Sequence, residues 1–326
     1  MNGRAVILPG VDSQEFAKEV VQQMQRQYYP GIEKTPTPEI INLIMEVFAD
    51  GEFAPVIQRT VRDRRVFIMQ HTRTPEDVVK LCMTIDAVKR CSGEKAVVVM
   101  PYMPFSRQDK TMDKRTSLGA KVVANMLKAC GADHVITFDL HAPQIAGFFD
   151  GIPVDNIHGH VIFGDFLKEN AAGLDWANVT WISPDAGGTK RTQKFRALFP
   201  GSGFGVIDKA REAANKISHM ELIGDVEGRD CVLTDDMADT FTTIAKASDL
   251  LMKKGAKSVR AILTHALMSG DAFTKLRNSS LTQLLVSDSI PLKETDPRIT
   301  VVSLAPALAK VMLQLTSSKS LSEFNH

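Results

Sequence analysis

Short apolar runs without polar alternation take turns with amphipathic stretches along most of the chain. The runs Ala5–Leu8, Val66–Gln70, Ala96–Pro101, His134–Leu140, Val179–Ile182, Gly205–Ile207, Cys231–Thr234, Ala261–Thr264, Gln283–Val286 and Ile299–Val302 predict strands. Unalternated runs belong to strands covered on both faces. The stretches Ser13–Gln27, Pro75–Cys91, Ser117–Cys130, Val161–Asn170, Gly187–Ala197, Ala238–Lys254 and Ala305–Leu315 predict helices. In Pro75–Cys91, the residues Val78, Leu81, Cys82, Ile85 and Val88 fall on one helical face. The β–α–β rhythm predicts an α/β fold of mostly parallel sheets flanked by helices. Two halves of similar content meet near Pro153–Gly159. This predicts one domain over residues 1–156 and a second over 157–326, the last helix packing back on the first domain. Gly201–Gly205, rich in glycine and serine, and the polar Arg211–Lys216 read as mobile loops.

Composition narrows the classes of function. The chain has 326 residues, 44% hydrophobic and 24% charged, which suits two ordinary globular domains. A formal net charge of +1 supplies no bulk field for nucleic acid or a membrane, so any anion site is local. No apolar run reaches a membrane-spanning length. Met1-Asn2-Gly3-Arg4 leads straight into a strand-like run without signal-peptide architecture, and a cytoplasmic protein is expected. The cysteines Cys82, Cys91, Cys130 and Cys231 lack CxxC spacing and lie in or beside apolar segments. They read as buried free thiols rather than disulfides or a zinc site.

The polar clusters sit where predicted strands end, the place where α/β sheets bind ligands. The run Cys231–Thr234 stops at Asp235-Asp236, and Asp239-Thr240-Phe241-Thr242-Thr243 follows before a helix. Hydroxyls and backbone N–H groups at a helix start suit a phosphate, and adjacent carboxylates suit sugar hydroxyls or a hydrated cation. A sugar phosphate gripped at both ends is the reading. Pro101–Lys110 sets aromatic residues between prolines, then Arg107, Gln108 and Asp109, a base-stacking face beside phosphate-binding cations. His141 follows an apolar strand and precedes Pro143, facing a cleft where it can meet a metal or a phosphate. Asp185-Ala186-Gly187-Gly188 has paired glycines that let backbone approach a ligand. Lys209 and Arg211 alternate on an extended strand, so both can point the same way, toward charge on a transferring phosphoryl group. Asp50 and Glu52, in Phe48–Glu52, read on their own as a plain surface turn. The clusters together fit nucleotide-dependent phosphoryl transfer to a phosphorylated sugar, with Mg²⁺ on the acids.

The ordered set Phe48–Glu52, Pro101–Lys110, Asp139–Gln144, Ser183–Gly188, Lys209 with Arg211, and Asp235–Thr243 resembles ribose-phosphate diphosphokinases, also called phosphoribosyl pyrophosphate (PRPP) synthetases. The resemblance spans essentially the whole chain. It implies two similar phosphoribosyltransferase-like domains, the first on the ATP side and the second on the ribose 5-phosphate side. It implies transfer of the diphosphoryl group of ATP to the 1-hydroxyl of ribose 5-phosphate, giving PRPP and AMP for nucleotide biosynthesis. Asp235, Asp236, Asp239, Thr240, Thr242 and Thr243 would hold ribose 5-phosphate. Asp185, Ala186, Gly187 and Gly188 would form the diphosphate loop, with His141 and Asp185 serving Mg²⁺. Arg107, Gln108 and Asp109 would contact ATP, and Asp50 and Glu52 would reach adenine from a neighbouring subunit of a homo-hexamer. Lys209 and Arg211 would stabilise the transition state. Arg62, Ser320 and Ser322 resemble a regulatory site for ADP as inhibitor and phosphate as activator.

The chain departs from the family pattern in places. The family's D-T-x-G-T reads Asp239-Thr240-Phe241-Thr242-Thr243 here, with no glycine and with a bulky Phe241 beside the phosphate loop. Thr264-His265-Ala266 replaces T-H-G, and alanine stands at 210 where a basic residue is common. These departures define the alternative, a catalytically weak nucleotide-binding regulatory relative. An ordinary phosphoribosyltransferase shares the acidic loop but not Arg107–Asp109, Lys209 with Arg211, or the double length.

Overall fold

The computed structural model describes residues 5–28, 37–111, 115–171, 174–213 and 216–316, with the side chains of 27–28, 209–213 and 216–219 outside the description. The chain divides into two compact units: Met1–His158 with Leu304–His326, and Gly159–Ser303.

In the first unit β1 (Ala5–Pro9) leads to α1 (Gln14–Tyr28), β2 (Glu39–Ile40), β3 (Leu43–Val47), β4 (Phe53–Ile57) and β5 (Arg65–Met69). Then come α2 (Pro75–Arg90), β6 (Lys95–Val99), α3 (Gly119–Ala129), β7 (His134–Phe138) and β8 (Val154–Ile157). The sheet order is β2-β1-β5-β6-β7-β8, every described pair parallel. Val6, Leu8, Ile68, Val98 and Val135 from the strands bury against Leu81 and Ile85 of α2 and Val123 and Leu127 of α3. The α2 face foreseen from periodicity is the buried one. Its start is fixed by a capping box: Asp77 N–H donates to Thr74 Oγ1 at 3.2 Å, Thr74 N–H donates to Asp77 Oδ2 at 2.7 Å, and Pro75 takes the first turn. Strands β3 and β4 form a separate antiparallel hairpin.

The second unit runs α4 (Gly159–Asn170), β9 (Val179–Ser183), α5 (Thr189–Ala197), β10 (Gly203–Ala213), β11 (Lys216–Ile223), β12 (Asp230–Ala238) and α6 (Thr242–Lys253). It continues with β13 (Ser258–Ala266), α7 (Ala272–Asn278), β14 (Gln283–Ser287) and β15 (Ile299–Val302). The order β11-β10-β9-β12-β13-β14-β15 is parallel except for the antiparallel β10–β11 pair. Leu233, Leu263 and Val286 pack against Ile244 and Leu251 of α6 and Phe273 and Leu276 of α7. The closing helix α8 (Ala305–Thr316) counts with the first unit. It packs on α1, and Arg65 Nη1 donates to Leu315 O at 2.7 Å.

Several expectations need correcting. Strand β12 does not stop before the acids: it runs on through Asp235 and Asp236 to Ala238, in register with β13 to Ala266. The helix expected from Ala238 therefore begins only at Thr242. Strand β10 extends to Ala213 and β11 begins at Lys216, so both ends of Arg211–Lys216, expected to be a mobile loop, are strand; residues 214–215 lie outside the described residues. Gly203–Gly205, expected in the other loop, is the start of β10. Cys91 is exposed rather than buried, because it follows the last turn of α2 as its cap. Cys130 is half-buried, and Cys82 and Cys231 alone are buried as read; burial pushes their thiols up to about 12.

Candidate active site

The acids read as the sugar grip lie at the C-terminal end of β12, where the sheet's parallel strands deliver their loops. Asp236 is buried and Asp235 partly so. Arg191, on the first turns of α5, reaches both carboxylates: Nη1 lies 3.5 Å from Asp235 Oδ1 and 3.4 Å from Asp236 Oδ1. Burial and the neighbouring Asp236 carboxylate push the Asp235 carboxyl well above the usual carboxylate range, and Arg191 pulls it part of the way back. Two crowded carboxylates that share Arg191 suit a polyhydroxyl ligand or a hydrated cation. Arg191 had no role in the sequence reading. The available signal was its place in the helix turn directly after the Gly187-Gly188 pair.

The threonine loop bridges β12 and α6. Thr240 Oγ1 and Thr242 Oγ1 lie 3.1 Å apart, and Thr240 is exposed. Thr242 and Thr243 open α6, a helix of twelve residues whose first N–H groups have no intrahelical acceptor. Ser269 N–H donates to Asp239 O at 2.8 Å and Met268 N–H to Ala238 O at 3.2 Å, so the segment after β13 braces the loop.

Phe241 departs from the expected picture. It adopts φ 60 and ψ 2, the left-handed region, at the cap of α6. Its ring is 2% exposed and belongs to the core cluster with Ile244, Leu251 and Phe273. The bulk expected beside the phosphate loop instead anchors that loop from beneath. Thr242, where the family's glycine stands, is the first helical residue and is not among those with positive φ. The backbone freedom of glycine is therefore not needed at 242. Ala266 likewise fits the β13 ladder opposite Ala238 without positive φ.

Asp185 turns the chain between β9 and α5. Its Oδ1 accepts from Gly188 N–H at 3.1 Å, and Ser183 Oγ donates to Asp185 O at 2.6 Å. A Cβ at Gly188 would stand 2.9 Å from Ser183 Oγ, so glycine is what lets this turn close. Ala186 and Gly187 are exposed at its tip. Thr192 Oγ1 lies 2.8 Å from Thr234 Oγ1, tying α5 to β12 and setting Arg191 over the acids.

In the first unit the loop after β6 and the loop after β7 are joined. Gln144 Nε2 donates to Asp109 Oδ2 at 2.6 Å, with Asp109 buried. Asp109 thus holds the two loops together, while Arg107 and Gln108 beside it are exposed. Gln108 N–H donates to Phe105 O at 2.9 Å, and Phe105 is exposed with φ 60. His141 is exposed just past Asp139, which is buried at φ 41. Asp50 and Glu52 form the turn of the β3–β4 hairpin: Phe48 N–H donates to Glu52 O at 2.7 Å and Glu52 N–H to Asp50 Oδ1 at 3.0 Å. Arg62 is exposed beside the buried Val61. Ser320 and Ser322 lie outside the described residues. Lys209 and Arg211 lie on β10, opposite Met220 and Ile217 of β11; their side chains are outside the description.

Among the described residues no group of three or more His, Cys, Asp or Glu side chains forms a metal cage. Mg²⁺ keeps several waters and takes one or two carboxylates with substrate phosphates, so it needs no such cage. The carboxylate oxygens of Asp185 fit that manner of binding.

Comparison with known proteins agrees with these features. The family model described as the N-terminal domain of ribose phosphate pyrophosphokinase matches residues 5–131. The phosphoribosyl synthetase-associated domain matches residues 207–324. A ribose-phosphate pyrophosphokinase of Campylobacter jejuni is 41% identical over 275 residues, 84% of this chain and 87% of the relative. The Wolinella succinogenes protein of the same name is 42% identical over the same shares. The crystal structure of phosphoribosylpyrophosphate synthetase from Mycobacterium smegmatis superposes with a TM-score of 0.85 at 29% identity, covering 97% of this chain and 99% of that one.

Proposed function

Because the chain belongs to the ribose-phosphate pyrophosphokinase family, we propose that it transfers the β,γ-diphosphoryl group of ATP to the 1-hydroxyl of ribose 5-phosphate. The 1-hydroxyl oxygen bonds to the β-phosphorus as the bond from that phosphorus to the oxygen of the α-phosphoryl group breaks. AMP leaves with that oxygen, and the hydroxyl proton passes to solvent. The observation that carries the reading is the Asp235–Asp236–Arg191 cluster running into the threonine loop at the start of α6.

Ribose hydroxyls are assigned to Asp235 and Asp236, and the 5-phosphate to the loop Asp239–Thr243. The positive end of α6 and the hydroxyls of Thr240, Thr242 and Thr243 match that anion. The turn Asp185–Gly188 is assigned to the diphosphate. Arg107 and Gln108 are assigned to ATP, with Asp109 setting their loop through Gln144. Lys209 and Arg211 are assigned to the charge that develops during transfer, which requires no protein nucleophile. Asp185 and His141 are the residues assigned to Mg²⁺, which when bound neutralises negative charge on the polyphosphate. ³¹P spectra of ATP and ribose 5-phosphate incubated with the protein test this: PRPP and AMP should appear together. Orthophosphate and ADP in their place contradict it.

The reading extends to assembly and control. We assign Asp50 and Glu52, displayed at an exposed hairpin turn, to the adenine of a neighbouring subunit, in a homo-hexamer. Arg62, with Ser320 and Ser322, is assigned to a site where phosphate activates and ADP inhibits. Initial rates indifferent to both ions contradict that assignment. No helix among the described residues is long and apolar enough to cross a membrane, and a cytoplasmic location is proposed.

A further inference from the structure

The second unit has a cavity of about 370 Å³ away from the Asp235–Thr243 loop, between its sheet and α4. Its floor is one row of residues across the sheet: Trp181 stands opposite Val232, Val232 opposite Arg260, and Arg260 opposite Gln283. Leu167 of α4 and Trp176 close over it. Trp176 and Trp181 are stacked, with ring centroids 6.2 Å apart and planes 4° apart. The volume lies in the range of small-molecule sites.

Two polar atoms in this wall lack partners. Trp181 is fully buried, yet its Nε1–H has no hydrogen-bond acceptor among the described residues. Arg260 Nη1, also buried, has none. Buried donors of this kind are uncommon and costly unless something accepts from them. Among the described residues lining the cavity, Arg260 carries the only charge. Asp230, whose carboxylate feels Arg260, is already held by Lys257 at 3.2 Å and Ser258 at 2.6 Å. Arg260 and Gln283 also line an adjoining polar depression of about 330 Å³ with Arg298 and Thr300. The wall thus passes from aromatic and aliphatic at one end to cationic and hydroxylic at the other.

We propose that this cavity is a binding site for a small aromatic carboxylate of one or two rings, separate from the transfer site. The ring lies against Trp176, Leu167 and Val232. The carboxylate accepts from Arg260 Nη1, a donor suited to that group by charge and planarity. Trp181 Nε1–H donates to a second acceptor or to the ligand's own carboxylate.

The chain's two tryptophans, Trp176 and Trp181, both line the cavity, so intrinsic fluorescence reports on it directly. The full-length protein is titrated with phenylacetate, and with the neutral phenylacetamide as comparison. The expected result is a saturable change with one site per chain by calorimetry. Phenylacetamide should bind at least about fivefold more weakly, and Arg260→Gln should weaken phenylacetate about tenfold. Ala171→Phe, which fills the cavity, should abolish binding. No saturable change up to about 10 mM overturns the proposal, as does equal binding of acid and amide. If Arg260→Gln fails to fold, the acid–amide comparison and Ala171→Phe decide, and binding retained in Ala171→Phe also overturns it.

Discussion

The pair Asp235–Asp236 with Arg191 shows how a binding site costs stability at the level of single residues. A carboxyl whose folded-state pKa is raised binds its proton more tightly in the native state than in the unfolded chain. Its contribution to stability therefore falls as pH rises above the ordinary value of 3.8 and stays unfavourable at neutral pH. Asp235→Asn should raise the melting temperature of the unliganded protein at pH 7 by about 2–4 °C and flatten that part of the pH dependence. The same change should abolish ribose 5-phosphate binding, followed by calorimetry. Arg191→Gln works the other way: it leaves two crowded carboxylates without their cation and should destabilise by about 2 kcal/mol in urea unfolding. Phe241 is a core residue despite its position in the phosphate loop, so Phe241→Ala should cost about 3 kcal/mol. Thr242→Gly, which restores the family's residue where no positive φ is required, should change the KM for ribose 5-phosphate by less than about threefold.

At the scale of elements, the hairpin turn is the sharpest test of assignment. Asp50→Ala removes the acceptor for Glu52 N–H, and with Glu52→Ala should raise the KM for ATP while far-UV circular dichroism stays unchanged. Helix α2 was legible because its apolar spacing, Pro75 and the Thr74–Asp77 box all agree. Strand β12 was read too short because Asp235 and Asp236 end its apolar run; pairing with β13, invisible to local pattern, carries the strand on to Ala238. The acids were recognised as a site for the same reason they hid the strand. The hairpin partner β11 was missed because its sequence, with Lys216, His219 and Glu221, has the polarity of a sheet edge. The burial of Phe241 was not legible either: an aromatic ring in a loop can point either way, and only the packing of α6 and α7 turns it inward.

At the scale of the whole molecule, the chain leaves the first unit at His158 and returns to it at Leu304. Helix α8 returns Leu308, Val311 and Met312 to full burial against a unit whose first strand lies some three hundred residues earlier. Truncation after Ser303 should therefore destabilise the first unit, seen as faster proteolysis within residues 5–158. The β–α–β rhythm made the architecture readable, and the ordered motifs made the family readable. The central claim is diphosphoryl transfer, and it is tested most directly by a coupled assay for AMP from ATP, Mg²⁺ and ribose 5-phosphate. The account predicts AMP formation that depends on ribose 5-phosphate and falls far more in kcat than in ribose 5-phosphate affinity for Lys209→Ala, whose charge acts in the transition state. AMP formation no greater than that of Lys209→Ala would contradict it.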